Sequence, residues 1–282
     1  MAKRYRKAYL EITNQCNLRC SFCIWHHRPP RRMSPEEFAQ VLRQVEPLAE
    51  MIYLHLMGEP LSHPQLGEIL ELCRQTGLPV NLTTNGTLLE QQAPLLLHNP
   101  VIRRVSISLH SFEGNGGVDP TRYLEGVCRF LEQAQDGGPL CEVRLWNLEG
   151  EEGRQNRRML DYLQQRLGLE PVVLPEKPGS VVLRPRLFLG LARRFDWPSL
   201  SAQDLGPDRF CRGLRDQFGV LSDGTVVPCC LDSEGTIALG NLFEQPLADI
   251  LQSPRAKALY DGFSCRRAVE PLCRRCGYST RF

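Results

Sequence analysis

The chain has 282 residues, 42 % of them hydrophobic and 23 % charged, with a formal net charge of +2. That make-up fits a globular protein with room for one large domain and a small one. The modest charge excludes the strongly basic class that binds nucleic-acid polymers. No run approaches the ~18 uninterrupted apolar residues of a membrane span.

In chain order, Ala8–Thr13 reads as a first strand. The basic Met1–Lys7 before it is followed by no apolar signal segment, so a cytoplasmic location is expected. Ser34 reads as an N-cap, with Pro35 at the first helical position and Glu37 completing a capping box. The helix it opens carries Phe38, Val41, Leu42 and Val45 at helical spacing. Met51–Leu56 is a second strand, then a helix runs near Pro64–Gln75 and stops at Gly77. Leu78–Thr83 and Arg103–Leu109 are strands, each followed by a helix, Leu88–Leu97 and Arg122–Gln135. Glu142–Trp146 is a fifth strand and Asn156–Leu167 a further helix.

Strands alternating with helices imply a parallel sheet with helical crossovers. Five or six such units fall short of an eight-fold barrel. The expected fold is therefore α/β, a partial (β/α)6 barrel over residues 1–198. From Pro171 to Pro198 five prolines break the rhythm, with a sixth strand and a hairpin expected near Val181–Leu189. Residues 199–282 read as a small metal-stapled domain with short segments, the Asp223-Gly224 turn and a helix from Leu247.

Twelve cysteines are the informative count, with three between Cys16 and Cys23 and six after position 210. A disulfide framework belongs to small secreted domains, and inert buried thiols would scatter along the chain. Cys16, Cys20 and Cys23 form a C-x3-C-x2-C loop directly after the first strand. Iron–sulfur clusters usually take four thiolates, so three in one loop leave one iron of a 4Fe–4S cluster open. Zinc completed by His26 or His27 is the alternative. Cys73, Cys128 and Cys141 fall in helix and strand patterns and read as core.

The five expected strands each break into polar residues at the same end: the cysteine loop, His55-Leu56-Met57-Gly58-Glu59-Pro60, Thr83-Thr84-Asn85-Gly86, Ser106–His110 and Arg144–Asn147. Parallel barrels carry their chemistry at that end of the strands.

The three-cysteine loop after the first strand resembles the hallmark of the radical S-adenosylmethionine superfamily. The resemblance implies that the open iron chelates the amino and carboxylate groups of S-adenosylmethionine. One electron then cleaves it to methionine and a 5′-deoxyadenosyl radical, which abstracts a hydrogen atom from substrate. Phe22 resembles the aromatic that packs near the adenine, and Gly58-Glu59-Pro60 the element that receives the methionine amino group. Met57 stands where the commoner pattern has glycine. Asn85 and Ser108 resemble cofactor contacts, and Arg144 suits the methionine carboxylate as a bidentate partner, with a barrel-mouth salt bridge as its other reading. His110 is either a buried, hydrogen-bonded histidine or a residue that contacts substrate or moves a proton.

Cys211, Gly224, Cys229 and Cys273-x2-Cys276 resemble the SPASM/twitch extension, which holds an auxiliary 4Fe–4S cluster. No further cysteines follow Cys276, which matches the shorter twitch form with Cys211, Cys229, Cys273 and Cys276 as ligands. Structural zinc on the same thiolates is the alternative, and Cys230 and Cys265 compete as ligands.

For the substrate side, His55, Trp146 and Asn147 are the unusual strand tips. Arg28, in the basic run His26–Arg32, suits a phosphate, and Trp197 suits stacking on a base or latching two domains together. The segments His55–Leu61, Ser108–Glu113, Arg144–Leu148 and Val226–Gly235 resemble the queuine lyases, which implies a nucleoside-like small-molecule substrate losing its base. Twitch-type alcohol dehydrogenases and peptide-modifying SPASM enzymes are the alternatives, with a non-catalytic binding module as the reading from another class. An external one-electron donor such as flavodoxin or ferredoxin is implied as partner.

Overall fold

The structure is a computed structural model that describes residues 5–115, 119–148, 153–171 and 178–282. Of the readings above, Met1–Arg4, Pro175 and the side chain of Glu113 lie outside the described residues. The chain divides into two compact units. One comprises Met1–Gln15, Ile24–Pro79 and Phe195–Phe282, the other Cys16–Cys23 and Val80–Arg194.

The first unit holds strands β1 (Lys7–Leu10) and β2 (Ile52–Tyr53) with helices α1 (Pro35–Val45) and α2 (Leu66–Thr76). Its last segment adds β8 (Gln217–Val220), β9 (Thr225–Val227) and β10 (Gly240–Asn241), then α6 (Leu247–Gln252) and α7 (Pro254–Ser264). β1 runs parallel to β2 on one side and parallel to β8 on the other, with Ala8 opposite Ile52 and Phe218. β9 and β10 continue from β8 as antiparallel strands. A strand from near residue 220 beside the first strand leaves no local sequence signal, because register between distant segments is set by tertiary packing.

α1 begins as the capping pattern requires. The Ser34 hydroxyl accepts from the Glu37 N–H while the Glu37 carboxylate accepts from the Ser34 N–H. Phe38, Val41, Leu42 and Val45 form its buried face. α2 ends at Gly77, whose φ of 72° is the left-handed turn that glycine adopts without strain. β2 is shorter than the expected Met51–Leu56. Beyond it the Met57 N–H donates to the Glu11 carboxylate at 3.2 Å, which takes the chain out of the ladder toward the Gly58 turn. α7 went unanticipated, although Ser253 caps it and Pro254 opens it.

The second unit is built on β3 (Val80–Thr84), β4 (Ile102–Ser108), β5 (Leu140–Leu145) and β7 (Leu187–Leu191), each parallel to the next. β6 (Gly179–Arg184) pairs antiparallel with β7, forming the expected hairpin with a sixth strand. Helices α3 (Leu89–Leu97), α4 (Pro120–Gln133) and α5 (Gly153–Leu167) supply the crossovers. Along β4, Val105 and Ile107 alternate with Arg104, Ser106 and Ser108, so one face of the sheet is apolar and the other polar. Cys73, Cys128 and Cys141 are buried core residues. No described helix is long and apolar enough to cross a membrane.

Replacing Ser34 by Ala removes the acceptor at the start of α1. We expect a loss of about 1 kcal/mol of stability by urea unfolding at unchanged slope, the usual size for an N-cap.

Candidate functional site

The Cys16–Cys23 loop belongs to the second unit, and backbone and side-chain donors aim at its sulfurs. The Leu18 N–H points at Cys16 Sγ at 3.4 Å, and Asn85 Nδ2 lies 3.8 Å from the same sulfur. Asn85 also donates to Asn17 Oδ1 at 2.8 Å, and Asn17 in turn donates to Thr87 Oγ1. The buried Cys20 thiol points at the Ser111 carbonyl at 3.5 Å. Burial pushes the Cys23 thiol from 9.0 up to about 11, and the neighbouring Cys16 adds to the shift. The Asn85 backbone is fixed by Tyr123, whose hydroxyl donates to its carbonyl at 2.8 Å. Gly86 follows at a φ of 85°, where a Cβ would come within 2.9 Å of that hydroxyl.

Beside the loop stands a column of rings. Phe22 packs on His110 with centroids 4.9 Å apart, and the Arg194 guanidinium lies over Phe22. His110 is parallel to Trp146 at 6.4 Å, and the Arg144 guanidinium lies 5.0 Å from the Trp146 ring centre. His110 Nδ1 donates to the Arg144 carbonyl at 3.1 Å, which sets its tautomer. Arg144 Nε meets Glu142 at 2.8 Å and its Nη1 reaches Thr83 at 3.3 Å. Burial works to raise the Glu142 carboxyl, but Arg144, Ser106 and Arg104 together hold it below its ordinary value. The Ser108 carbonyl accepts from Ser111 Oγ at 2.6 Å. Asn147 is buried, and Asn156 donates to both its carbonyl and its side-chain oxygen. The second unit thus brings together Cys16, Cys20, Phe22, Cys23, Asn85, Ser108, His110, Arg144, Trp146 and Asn147.

In the first unit, Gly58 has a φ of 75°, and a Cβ there would meet the Thr13 carbonyl at 2.3 Å and that of Gln15 at 2.9 Å. The Gly58-Glu59-Pro60 turn therefore lies against the chain that leads into the cysteine loop. The Glu59 N–H donates to Gln15 O at 2.9 Å. Glu59 is 2 % exposed, and its carboxylate caps the short 3-10 turn by accepting from the Leu61 N–H. His55 packs edge-on against Tyr9 and Tyr53. Arg28 corrects its expected role. Its guanidinium forms a fork-to-fork pair with Glu11 at 2.8 and 2.7 Å, so it is committed inside the fold rather than held ready for a phosphate. Trp197 packs on Phe195, which in turn meets Tyr278, within the same unit.

Cys211, Cys229, Cys273 and Cys276 also lie in the first unit. Burial raises all four thiols, Cys211 to about 11 and Cys229 and Cys273 well above their ordinary value. Charge on Cys211 would further raise Cys229, Cys230 and Cys273, and charge on Cys276 would raise Cys211 and Cys273, so Cys230 neighbours the four as well. The Gly213 N–H points at Cys211 Sγ at 3.4 Å. Cys230 packs against Tyr9 and Tyr53, and its sulfur is hydrogen-bonded to Tyr9. Cys265 is exposed after α7.

The donor chemistry of both cysteine sets suits iron–sulfur clusters, since N–H groups aimed at Cys16 and Cys211 are the support that ligated thiolates use. Among the described residues no three cysteine, histidine or carboxylate side chains are already gathered to hold a metal ion. Sequence reasoning missed Asn17, Ser111, Tyr123, Glu142 and Arg194. Asn17 could have been found from its place inside the loop, whereas Arg194 reaches Phe22 only through the tertiary fold.

The radical SAM superfamily profile matches residues 10–163, and the SPASM iron-sulfur cluster-binding domain profile matches residues 211–277. The chain belongs to the radical SAM superfamily. A tungsten-containing aldehyde ferredoxin oxidoreductase cofactor-modifying protein of Pyrococcus furiosus is 36 % identical over 95 % of this chain and 86 % of its own length. A probable GTP 3′,8-cyclase of Thermococcus kodakarensis is 30 % identical over 44 % of this chain and 42 % of its own. BtrN in complex with AdoMet and 2-DOIA superposes with a TM-score of 0.60 at 15 % identity, over 98 % of this chain and 94 % of BtrN. Streptococcus suis SuiB bound to S-adenosylmethionine gives 0.65 at 17 % identity, over 98 % and 72 %.

This chain is therefore a radical SAM enzyme with the α/β fold of that superfamily and a C-terminal SPASM domain. Its radical SAM domain takes a 4Fe–4S cluster and S-adenosylmethionine, and its SPASM domain takes iron–sulfur, which replaces the zinc alternatives. Membership of the queuine lyases is not supported: a relative that spans nearly the whole chain is named for modifying an oxidoreductase cofactor.

The raised thiols carry a pH dependence. The folded, cluster-free chain prefers the neutral thiols, so it holds that stability below about pH 9 and loses it as the pH climbs toward 11. We expect the thermal midpoint of the cluster-free protein to fall across that window more steeply than that of the loaded protein, whose sulfurs are ligated.

Proposed function

We propose that the enzyme abstracts a hydrogen atom from a small heterocyclic molecule, a metal-binding organic cofactor or its precursor. The rings beside the cysteine loop carry this reading: His110 and Trp146 lie parallel, next to Phe22, which itself serves the adenine. Stacked aromatics and guanidinium planes suit a flat, polar ring system. The likeness to a cofactor-modifying protein along nearly the whole chain supports the same substrate class.

Cys16, Cys20 and Cys23 would hold the 4Fe–4S cluster, which when bound would supply the electron for cleaving S-adenosylmethionine. The chain's own residues place the reactants. Phe22 packs on the adenine. The Gly58-Glu59-Pro60 turn receives the methionine amino group, with Glu59 already buried and oriented as an acceptor. Asn85 and Ser108 contact the cofactor, and Arg144, steadied by Glu142, faces its carboxylate. His110, with Nδ1–H held by the Arg144 carbonyl, turns its unprotonated Nε2 to the substrate, where it can accept a proton. Trp146, Asn147 and His55 shape the substrate side and exclude water. Residues 1–198 form the catalytic domain and 199–282 the auxiliary-cluster domain, whose Cys211, Cys229, Cys273 and Cys276 would hold a fully ligated cluster suited to electron transfer rather than substrate binding. An acidic one-electron carrier of the ferredoxin or flavodoxin type supplies reducing equivalents.

Cys20→Ala is expected to abolish 5′-deoxyadenosine production by the reconstituted, reduced enzyme. Retained production in that variant would refute the assignment of the first site. Cys273→Ala should lower the iron content by one cluster, about four irons, while 5′-deoxyadenosine is still formed. An unchanged iron count accompanied by lost zinc contradicts the second assignment. For the substrate class, reduced enzyme is mixed with the organic cofactor of a tungsten-containing oxidoreductase and, separately, with queuosine 5′-phosphate. Turnover of the latter alone would overturn the proposal.

A further inference from the structure

We infer that Glu11 is a positioning residue, a buried carboxylate that sets the Gly58-Glu59-Pro60 turn and couples its placement to the C-terminal iron–sulfur segment. The inference rests on the reading above that this turn receives the methionine amino group of S-adenosylmethionine.

Glu11 follows β1 and is completely buried. A carboxylate without solvent must be matched by charge and by hydrogen bonds, and here it is matched in full. Arg28 supplies both terminal nitrogens, Nη1 to Oε1 at 2.8 Å and Nη2 to Oε2 at 2.7 Å. Ser222 donates its N–H to Oε1 at 3.1 Å and its hydroxyl at 2.9 Å. Met57 donates its N–H to Oε2 at 3.2 Å.

The two oxygens serve different segments. Oε1 faces Ser222, just after β8 in the C-terminal segment. Oε2 faces Met57, the residue immediately before Gly58. Arg28 bridges both and adds a bond from Nε to the Ser233 carbonyl at 2.7 Å, a second tie to the C-terminal segment. The Arg28 side chain is only 10 % exposed, so the pair is not screened by water.

A carboxylate is a rigid plane, so its two oxygens move together. A shift of the Ser222 segment turns Oε1 and draws Oε2 away from the Met57 N–H. Gly58 has no slack to absorb that movement, because it already lies against the Thr13 and Gln15 carbonyls. The auxiliary-cluster segment therefore helps to hold the turn that binds the cofactor, through one buried side chain. Neither Glu11 nor Ser222 touches the reacting atoms, and their effect is on affinity and orientation.

The test is steady-state 5′-deoxyadenosine formation by the reconstituted holoenzyme as S-adenosylmethionine is varied. Glu11→Gln keeps the shape and removes the charge that Arg28 and Met57 meet. We expect its KM for S-adenosylmethionine to rise about tenfold, the size expected for a hydrogen bond to a charged group, with the limiting rate and iron content kept. Ser222→Ala removes one hydroxyl and leaves the ion pair in place, so it serves if Glu11→Gln does not fold. Its KM should rise severalfold. Electron–nuclear double resonance on S-adenosylmethionine carrying an isotope label at the amino nitrogen should show an altered coupling to the reduced cluster in either variant. A merely structural role would lower yield and iron content but leave the KM and coupling of the surviving holoenzyme unmoved, and that result overturns the inference alone. Wild-type holoenzyme that forms no 5′-deoxyadenosine overturns the underlying reading and the inference with it.

Discussion

Burying sulfurs that repel one another once ionised is the constraint on which the proposed auxiliary-cluster site depends, and at the cysteine loop it acts on Cys23. In water a thiol gives up its proton with modest resistance. Inside this fold burial drives Cys23 and Cys211 up to about 11 and raises Cys229 and Cys273 well above their ordinary value. Such thiols are poor nucleophiles and poor acids when the chain is empty. A polynuclear iron centre reverses the balance, because its positive charge is what the thiolates lack. On the proposed assignment, the same burial that makes the empty auxiliary site costly makes the loaded one stable, which links metal loading to folding there.

Around those sulfurs the protein supplies direction. In one unit the Leu18 N–H and Asn85 point at Cys16, and a chain of hydrogen bonds from Asn17 to Thr87 keeps the loop in place. In the other, the Gly213 N–H points at Cys211. Hydrogen bonds to ligating sulfur and exclusion of solvent are the means by which a protein tunes an iron–sulfur potential. Within the first unit, the Glu11–Arg28 pair adds a different kind of order. Removing one member of a buried pair of this type typically costs ~3–5 kcal/mol, since the other is left uncompensated. It is a register device more than a source of stability, and it joins segments more than two hundred residues apart in the chain.

Local signals were legible in the sequence, and long-range ones were not. Ser34-Pro35 with Glu37 marks the start of α1, and Gly77 the end of α2, because capping chemistry is confined to a few neighbouring residues. The C-x3-C-x2-C loop and the paired spacing of Cys273 and Cys276 were equally plain, since ligand spacing is local too. What escaped were contacts that only the fold creates. β8 beside β1, Arg194 over Phe22 and Glu142 steadying Arg144 leave no pattern within a window of sequence. Arg28 shows the opposite error: a basic loop residue looks free for a ligand until the structure shows the buried carboxylate it already serves.

The measurement that tests the central claim most directly is electron paramagnetic resonance of the anaerobically reconstituted, reduced enzyme before and after S-adenosylmethionine is added. A 4Fe–4S cluster with one iron open to the cofactor should give a signal that changes shape on addition, followed by formation of 5′-deoxyadenosine. A signal that S-adenosylmethionine leaves unaltered, in protein carrying its full complement of iron, would contradict the account.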